Sequence, residues 1–96
     1  MFDYIKIDSK LLPYISNVDS KLFDNENWQT KSLDKCLSEF TITTGGLLEK
    51  SLSKDERVIK NFHGIIRFYT SINETWYEFD AKFTDGKLES VIEYID

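Results

Sequence analysis

Cysteine, histidine and long apolar runs are scarce in this sequence of 96 residues, and each shortage excludes a class of protein. With one cysteine, Cys36, the chain can form neither an internal disulfide nor a thiolate metal cluster, and we expect this residue to be a small core side chain. No apolar run approaches the ~20 residues that span a bilayer. We therefore expect a soluble protein of a reducing compartment, most simply the cytoplasm.

Basic charge is also in short supply. Seventeen acidic residues stand against twelve basic ones, which gives a net charge of −5. Nucleic-acid binding needs a basic stripe that neutralises phosphates, so this balance disfavours it. An anionic membrane surface is an equally poor partner. The N-terminal segment MFDYIKIDSK lacks the charged-then-apolar layout of a signal peptide, which agrees with the expected cytoplasmic location.

Apolar and aromatic side chains are plentiful, at 41% and 15% of the residues. That quantity is sufficient for a packed interior, whereas the length is too short for two independent cores. We therefore predict a single domain over residues 1–96.

Patterns typical of strands dominate the chain. The segment FDYIKI at 2–7 indicates a first strand, and the polar stretch at 14–30 predicts a loop with one short helical turn at most. A helical and a strand period compete over 32–44, and the ending TITTGG favours a strand that turns at Gly45-Gly46 into a returning LLEK. Residues 51–60 predict a surface loop or a single helical turn.

The last third of the chain carries the clearest signals. FHGIIRFYTS, TWYEFDAKFT and KLESVIEYI are three β-rich runs, and Asp85-Gly86 between the second and third is a strong hairpin signal. We predict a mainly β fold, an antiparallel meander sheet that is curved or sandwich-like and has little helix. A β-rich α+β fold is the alternative.

A two-residue turn at Asp85-Gly86 sets the predicted register of the last hairpin. The core face then pairs Phe83 with Leu88, Ala81 with Ser90, Phe79 with Ile92 and Tyr77 with Tyr94. The other face pairs Lys82 with Glu89, Asp80 with Val91, Glu78 with Glu93 and Trp76 with Ile95. A slip of one residue would put charges in the core, so the opposed carboxylates of Glu78 and Glu93 are a by-product of the hydrophobic register.

Arg67, on the preceding strand, offsets the predicted carboxylate pair. If the intervening loop spans Ile72–Asn73, Arg67 lies opposite Glu78, and if it spans Ile72–Thr75, Arg67 lies opposite Asp80. One guanidinium can bridge that carboxylate and a neighbour, because its forked donors match carboxylate geometry. A solvated face with an ordinary ion-pair network is thus one interpretation of this surface.

An acidic recognition face is the other interpretation. Residues 74–96 hold seven acids and two lysines, a charge of −5 that equals the net charge of the whole chain. Aromatic and aliphatic side chains are predicted beside these acids on the same outer face, unless another layer such as residues 32–44 covers them; they are Trp76, Tyr69 and Ile95. An aromatic patch rimmed by carboxylates suits a basic partner. The candidate partner-binding residues are Trp76, Glu78, Asp80, Glu93, Tyr69 and Arg67.

The residue types that carry catalysis or bind metals form no recognisable site. His63 has no partner at a spacing that indicates a general base, and we expect it to be structural or exposed. Gly45-Gly46 lacks the residues of a phosphate-binding loop. Glu78, Asp80 and Glu93 lack the closely spaced ligands of a calcium loop, and the chain leaves little room for a glycosidase cleft. We expect a non-enzymatic protein with no cofactor and no metal.

The segment WQTKSLDKCLSEFTITTGGLLEK, residues 28–50, resembles a pattern in small phage and prophage proteins of unknown function. The shared features are Gln29-Thr30-Lys31, Leu33-Asp34, the aromatic strand Phe40–Thr44 and the turn Gly45-Gly46. The later block FHGIIRFYT…WYEFDAKFTDGKL, at 62–88, is similar to a second block of that group, an aromatic strand pair closed by Asp-Gly. With the FDYIKI…LLP opening the resemblance covers about two thirds of the chain, but it does not explain residues 14–27.

The resemblance implies a bacterial host cell as the setting. Small acidic phage proteins often bind a host protein, including components of antiviral defence. Our hypothesis is therefore a host-protein binder that could inhibit such a system. Two alternatives stay open at this point: a structural protein that self-assembles through strand edges or its aromatic face, and a small-molecule-sequestering protein whose sheet curls around the aromatic residues.

Overall fold

The computed structural model describes residues 2–15, 18–35, 37–51 and 56–94. Its strands are β1 (Asp3–Ile7), β2 (Trp28–Thr30), β3 (Glu39–Ile42), β4 (Leu48–Ser51), β5 (Glu56–Val58), β6 (Gly64–Ile72), β7 (Thr75–Thr84) and β8 (Lys87–Glu93). Two short 3₁₀ helices, Ser9–Leu11 and Ser20–Phe23, lie between β1 and β2. The prediction of a mainly β fold with little helix is confirmed.

Among the described residues, eight strands form one mixed sheet in the order β5-β4-β3-β1-β2-β6-β7-β8. The predicted antiparallel meander holds for β6, β7 and β8. It does not hold at the start of the chain, where β1 pairs with β3 in parallel and with β2 in antiparallel orientation. The segment between β2 and β3 therefore crosses over β1, which is why strands close in sequence are not all neighbours in the sheet.

Asp3 holds this crossover in place. Its carboxylate is buried and accepts hydrogen bonds from the backbone N–H groups of Lys35 (2.6 Å) and Ser38 (3.0 Å). A buried carboxylate is costly unless it is hydrogen-bonded, so these donors compensate its desolvation. The backbone of Lys35 has a φ of 60°, which lets the loop turn its amides toward Asp3.

The sheet curls into a half-barrel, because contacts at one end bring distant strands together. Leu47, just before β4, forms a bridge with Lys87 at the start of β8. The N–H of Leu88 donates to the carbonyl of Gly46 (2.7 Å), and the N–H of Gly86 donates to the carbonyl of Phe62 (2.8 Å). The β7–β8 turn is thus tied to the β3–β4 turn and to the segment after β5.

The concave side of the sheet is filled by apolar side chains. The buried ones are Ile5, Ile7, Phe23, Trp28, Phe40, Ile42, Leu48, Ile66, Phe68, Phe79, Ala81 and Phe83. Trp28 lies at the centre of an aromatic cluster, with ring centroids 5.1 Å from Phe68 and 5.5 Å from both Phe79 and Phe23. The contacts of Trp28 with Phe68 and Phe79 are edge-to-face, an arrangement that is favourable beyond the area that it buries.

Two predicted loops contain strands. The interpretation of residues 14–30 as loop was wrong for β2, and the interpretation of residues 51–60 was wrong for β5. Both strands are three residues long, too short to show the two-residue alternation that identifies a strand in a sequence. Tertiary contacts hold β2 in the sheet: the Thr30 hydroxyl donates to the carbonyl of Arg67 at 2.6 Å.

Candidate functional site

The candidate site is the outer face of β6, β7 and β8, defined by the side chains that point away from the core. Its members are Ile65, Arg67, Tyr69, Trp76, Glu78, Asp80, Lys82, Ser90, Ile92 and Tyr94. Alternation along the strands produces this face, because the residues between them, such as Ile66, Phe68 and Phe79, are buried. Trp76 and Ile92 on this face are each 59% exposed, so no described residue of 32–44 covers these two side chains.

Two left-handed turns align these strands. Asn73 and Glu74 both have positive φ, as do Asp85 and Gly86, which is the requirement of a two-residue type I′ hairpin. The first turn pairs Ile72 with Thr75 and places Arg67 opposite Asp80. Of the two registers that the sequence allowed, the structure has the one in which Arg67 faces Asp80.

Arg67 is the centre of the polar contacts on the outer face. Its Nε lies 2.7 Å from Asp80 Oδ1 and its second guanidinium nitrogen lies 3.0 Å from Oδ2, a bidentate pair. The same Nε is 3.8 Å from Glu78 Oε2, and the guanidinium carbon is 3.7 Å from the centroid of the Tyr94 ring. The hydrogen bond to Asp80 raises the pKa of Arg67 above its ordinary value, so the ion pair further favours a guanidinium that is already charged at physiological pH.

Tyr69 and Trp76 form a stacked pair beside this cluster. Their ring centroids are 5.1 Å apart and their planes differ by 18°. The indole N–H of Trp76 donates to Glu78 Oε1 at 2.9 Å, so Glu78 links the aromatic pair to Arg67. The prediction that Trp76 and Tyr69 share the outer face is confirmed, and the structure adds that a stack and a hydrogen bond hold the exposed indole in one orientation.

Glu89 belongs to a separate pair of contacts near the β7–β8 turn. Its carboxylate accepts a hydrogen bond from the Thr84 hydroxyl at 2.7 Å and lies 3.6 Å from Lys82 Nζ. The Thr84 hydrogen bond, followed by the charge of Lys82, holds the pKa of Glu89 below its ordinary value. The predicted pairing of Lys82 with Glu89 is thus present as an ion pair, although the backbone of Lys82 is opposite Ser90.

The predicted pairing of Glu78 with Glu93 is wrong, and a β-bulge is the reason. Thr84 pairs with Lys87 and Phe83 with Leu88 as expected, but the register then shifts by one residue between Lys82 and Phe83. Beyond the bulge, β7 and β8 pair as Lys82–Ser90, Ala81–Val91, Asp80–Ile92 and Phe79–Glu93.

This shift exchanges the two faces of β8. Val91 moves to the core side, where it packs against the buried cluster, and Ile92 moves out to solvent. Glu93 lies opposite Phe79 and therefore points to the other side of the sheet from Glu78, so it is removed from the candidate site. Tyr94, which the sequence placed opposite Tyr77 in the core, takes part in the outer face instead.

The charge on the outer face is mixed rather than strongly acidic. Its acids are Glu78 and Asp80 and its bases are Arg67 and Lys82, and the Glu89 carboxylate lies beside it, next to Lys82. The other acids of residues 74–94 lie in the turns, as Glu74 and Asp85 do, or on the other face, as Glu93 does. The excess of acids in the sequence is therefore spread around this end of the molecule.

A shallow groove crosses the outer face at its border with β2. It has a volume of about 480 Å³ and is lined by Lys31, Ser32, Ile65, Arg67, Tyr69 and Glu78. The Ser32 hydroxyl accepts the backbone N–H of Arg67 at 3.1 Å, which attaches the segment after β2 to this border. The bulge explains why Ile92 and Tyr94 could not be assigned to this face from the sequence. Sequence reasoning also missed Ile65, which the alternation of IIRFY could have identified.

The remaining sequence-based candidates lie elsewhere. His63, expected to be either structural or exposed, is exposed. In the described ranges, no group of three or more acids, histidines or cysteines could hold a metal ion. Cys36 and Ile95 lie outside the described residues. On the concave side, where a small-molecule pocket was one alternative, Trp28, Phe68 and Phe79 are buried against one another.

Comparisons with known proteins add no family to this description. No family model, curated protein or solved structure matches the chain. In the described residues, no helix has the length and apolar character required to cross a membrane.

Proposed function

We propose that this protein is a non-enzymatic binding protein that docks its outer face against a partner protein carrying a basic surface. The observation that carries the proposal is the exposed Trp76, which is stacked on Tyr69 and hydrogen-bonded to Glu78. Trp76 is 59% exposed, so most of its large apolar ring is accessible to a partner.

The Tyr69–Trp76 pair has the properties of an interface anchor. Tryptophan, tyrosine and arginine are the residue types most enriched among side chains that dominate binding energy. Binding usually costs free energy because side chains lose rotamer freedom. Here the stack and the Glu78 hydrogen bond already restrict the indole before a partner arrives, so this cost is reduced.

The carboxylates beside the pair favour a basic partner. A lysine or arginine of the partner that lies over the Trp76 ring would gain a cation–π interaction and would also lie near Glu78. Asp80 contributes less, since Arg67 already neutralises it through two hydrogen bonds. The basic partner is therefore expected to contact Trp76 and Glu78 first.

The resemblance to small phage and prophage proteins extends the proposal to its setting. We propose a bacterial host protein in the cytoplasm as the partner, including components of antiviral defence, with this chain as an inhibitor or accessory factor. This part of the proposal depends on the resemblance alone, whereas the docking face depends on the geometry.

Capture from a bacterial lysate followed by binding measurements with the purified captured protein tests the proposal. Trp76→Ala should weaken binding by about tenfold or more, the loss typical of an interface tryptophan. Glu78→Lys should slow association and reduce its dependence on salt, because the steering charge is reversed. Both variants must keep the wild-type circular dichroism spectrum.

Tyr14→Ala is the matched control, since Tyr14 is an exposed aromatic residue outside the outer face. It should leave the affinity unchanged. The proposal is wrong if Trp76→Ala and Glu78→Lys both bind the captured protein as tightly as the wild type. If the apparent molecular mass of the wild type rises with protein concentration and that of Trp76→Ala does not, self-assembly through this face is supported instead.

A further inference from the structure

The edge of the sheet next to the outer face is formed by β8. Both edge strands of the sheet, β5 and β8, expose backbone groups, but β5 is three residues long and β8 is seven. A long edge strand is a template on which a further strand can pair, whereas very short edges are protected against this. β8 is thus the edge at which added pairing could extend furthest.

The pairing between β7 and β8 determines which groups face the open edge. The N–H of Tyr94 donates to the carbonyl of Glu78 at 2.9 Å, so these two residues are paired through a hydrogen bond of the ladder. Because such pairs alternate with non-bonded pairs, Ile92 and Ser90 also point their backbone groups at β7. Val91 and Glu93 consequently point their N–H and C=O groups away from the sheet.

The start of this edge is already occupied. Leu88 directs its N–H outward, to the carbonyl of Gly46 at 2.7 Å, and Lys87 is bridged to Leu47. Beyond that point the half-barrel is open. Within the described part of the chain, the outward backbone groups of Val91 and Glu93 have no hydrogen-bond partner.

The charge along the open edge favours a basic occupant. Glu93 is exposed and forms no ion pair with any described residue, unlike Glu89, which is paired with Lys82. A basic side chain on an added strand would meet Glu93 on the core side of the sheet, and an apolar one would meet Ile92 on the outer face. A second copy is disfavoured, because antiparallel pairing centred on Val91 would oppose Glu89 and Glu93 of the two copies.

We propose that the open edge of β8 binds an extended, basic segment of the partner protein by β-strand addition, through the backbone groups of Val91 and Glu93. This inference rests on the proposed function and specifies the form of the partner: a strand with alternating basic and apolar residues that continues the sheet. Main-chain hydrogen bonds would supply affinity, and the side chains next to Glu93 and Ile92 would supply specificity.

The test uses the full chain and a short amidated peptide of alternating lysine and valine as the probe. Nuclear magnetic resonance would follow amide exchange at Val91 and Glu93, and titration would give the affinity. We expect the probe to slow exchange at these two amides by about tenfold or more, as new ladder hydrogen bonds do. The same peptide with glutamate in place of lysine should bind at least about tenfold more weakly.

N-methylated probes leave the protein unchanged and test the hydrogen bonds directly. In antiparallel pairing the lysine amides point at β8 and the valine amides point away from it. Methylation of the lysine amides should abolish binding of the probe, whereas methylation of the valine amides should leave its affinity unchanged.

A protein variant provides the reciprocal test. Val91→Pro removes an outward N–H at a position where an edge strand tolerates proline. The sheet should therefore be retained, and binding of the probe should be lost. Val91→Thr keeps the N–H and the branched shape and should bind as the wild type does.

The outcomes separate this inference from the proposed function. Protection at Val91 and Glu93 in the wild type, together with its loss at the Glu93 amide in Val91→Pro, supports strand addition. Probe binding without protection, or equal binding by both methylated probes, overturns strand addition, while the effect of Trp76→Ala on the captured protein still decides the docking face. Protection that rises with protein concentration in the absence of probe identifies a second copy as the occupant and overturns the basic segment.

Discussion

The two tryptophans of this chain have opposite environments. Trp28 is fully buried among Phe23, Phe68 and Phe79, whereas Trp76 is mostly exposed on the other side of the sheet. Trp28 follows a polar stretch in the sequence, which gives no sign that it is the centre of the core. Within the described residues its indole N–H has no hydrogen-bond partner, a cost that the surrounding aromatic contacts must exceed.

Glu89 offers a prediction at the scale of single residues. Its folded pKa is lowered, first by the Thr84 hydroxyl and then by Lys82, so its stabilising contribution is present above the unfolded pKa and is lost as pH falls through the folded one. Thr84→Val should raise the pKa of Glu89 toward its ordinary value, since the hydroxyl donor is removed.

A carboxyl titration followed by nuclear magnetic resonance checks this prediction, with Thr84→Ser as the control that keeps the hydroxyl. Part of the stability difference between the wild type and Thr84→Val arises from the ionisation of Glu89. This part should vanish once the pH falls below both the folded and the unfolded pKa of Glu89. An unchanged pKa of Glu89 in Thr84→Val would show that the hydrogen bond is not the principal cause.

At the scale of elements, the β-bulge in β8 has the largest consequence for the candidate site. It inserts one residue near Glu89 and so changes which side of the sheet each later residue occupies. The expectation that a slip of one residue would put charges in the core is wrong beyond the bulge, since Glu93 changes sides and stays exposed. The pattern KLESVIEYI accommodates either phase, because Val91 and Ile92 are adjacent and each could face the core. The choice between them depends on the contacts of Leu88 with Gly46 and of Glu89 with Thr84, which join residues that the pattern does not relate.

The β7–β8 turn gives a prediction at this scale. Gly86 has a φ of +84°, and a Cβ at this position would lie 2.2 Å from the carbonyl oxygen of Lys60. Gly86→Ala should therefore lower the free energy of unfolding by more than about 1 kcal/mol, as measured by urea denaturation.

Gly45→Ala is the control for this substitution. The nearest atom to a Cβ at Gly45, apart from its chain neighbours, is Thr43 Oγ1 at 3.8 Å, an ordinary contact distance. The free energy of unfolding should then change by no more than about 0.5 kcal/mol. Equal stability of the two variants would contradict the close approach of the β7–β8 turn to the segment after β5.

At the scale of the whole molecule, the sheet separates the chain into a filled concave side and an open outer face. The closure between the β3–β4 turn and the start of β8 curls the sheet around the aromatic cluster. The same curl leaves the rest of β8 as an edge and presents Trp76 to solvent. Core and candidate site are therefore two sides of the same strands.

This arrangement predicts two classes of tryptophan fluorescence. Acrylamide should quench the emission of Trp76 strongly and that of Trp28 weakly, because quenching requires collision with the indole and only Trp76 is accessible. Trp76→Phe should remove most of the quenching while retaining a signal that changes on unfolding. Strong quenching in Trp76→Phe would contradict the burial of Trp28.

The sequence by itself determined the mainly β fold class, the three strands of the last third and the place of the Asp85-Gly86 turn, because strand alternation and turn residues act locally. It also placed Trp76, Tyr69, Glu78, Asp80 and Arg67 on one face, since a period of two leaves no other choice. The parallel pairing of β1 with β3, the burial of Trp28 in a three-residue strand and the departure of Glu93 from that face were decided by the tertiary structure alone. In each case the cause is contact between segments far apart in the chain: Asp3 with the loop before β3, Thr30 with Arg67, and Gly46 with Leu88.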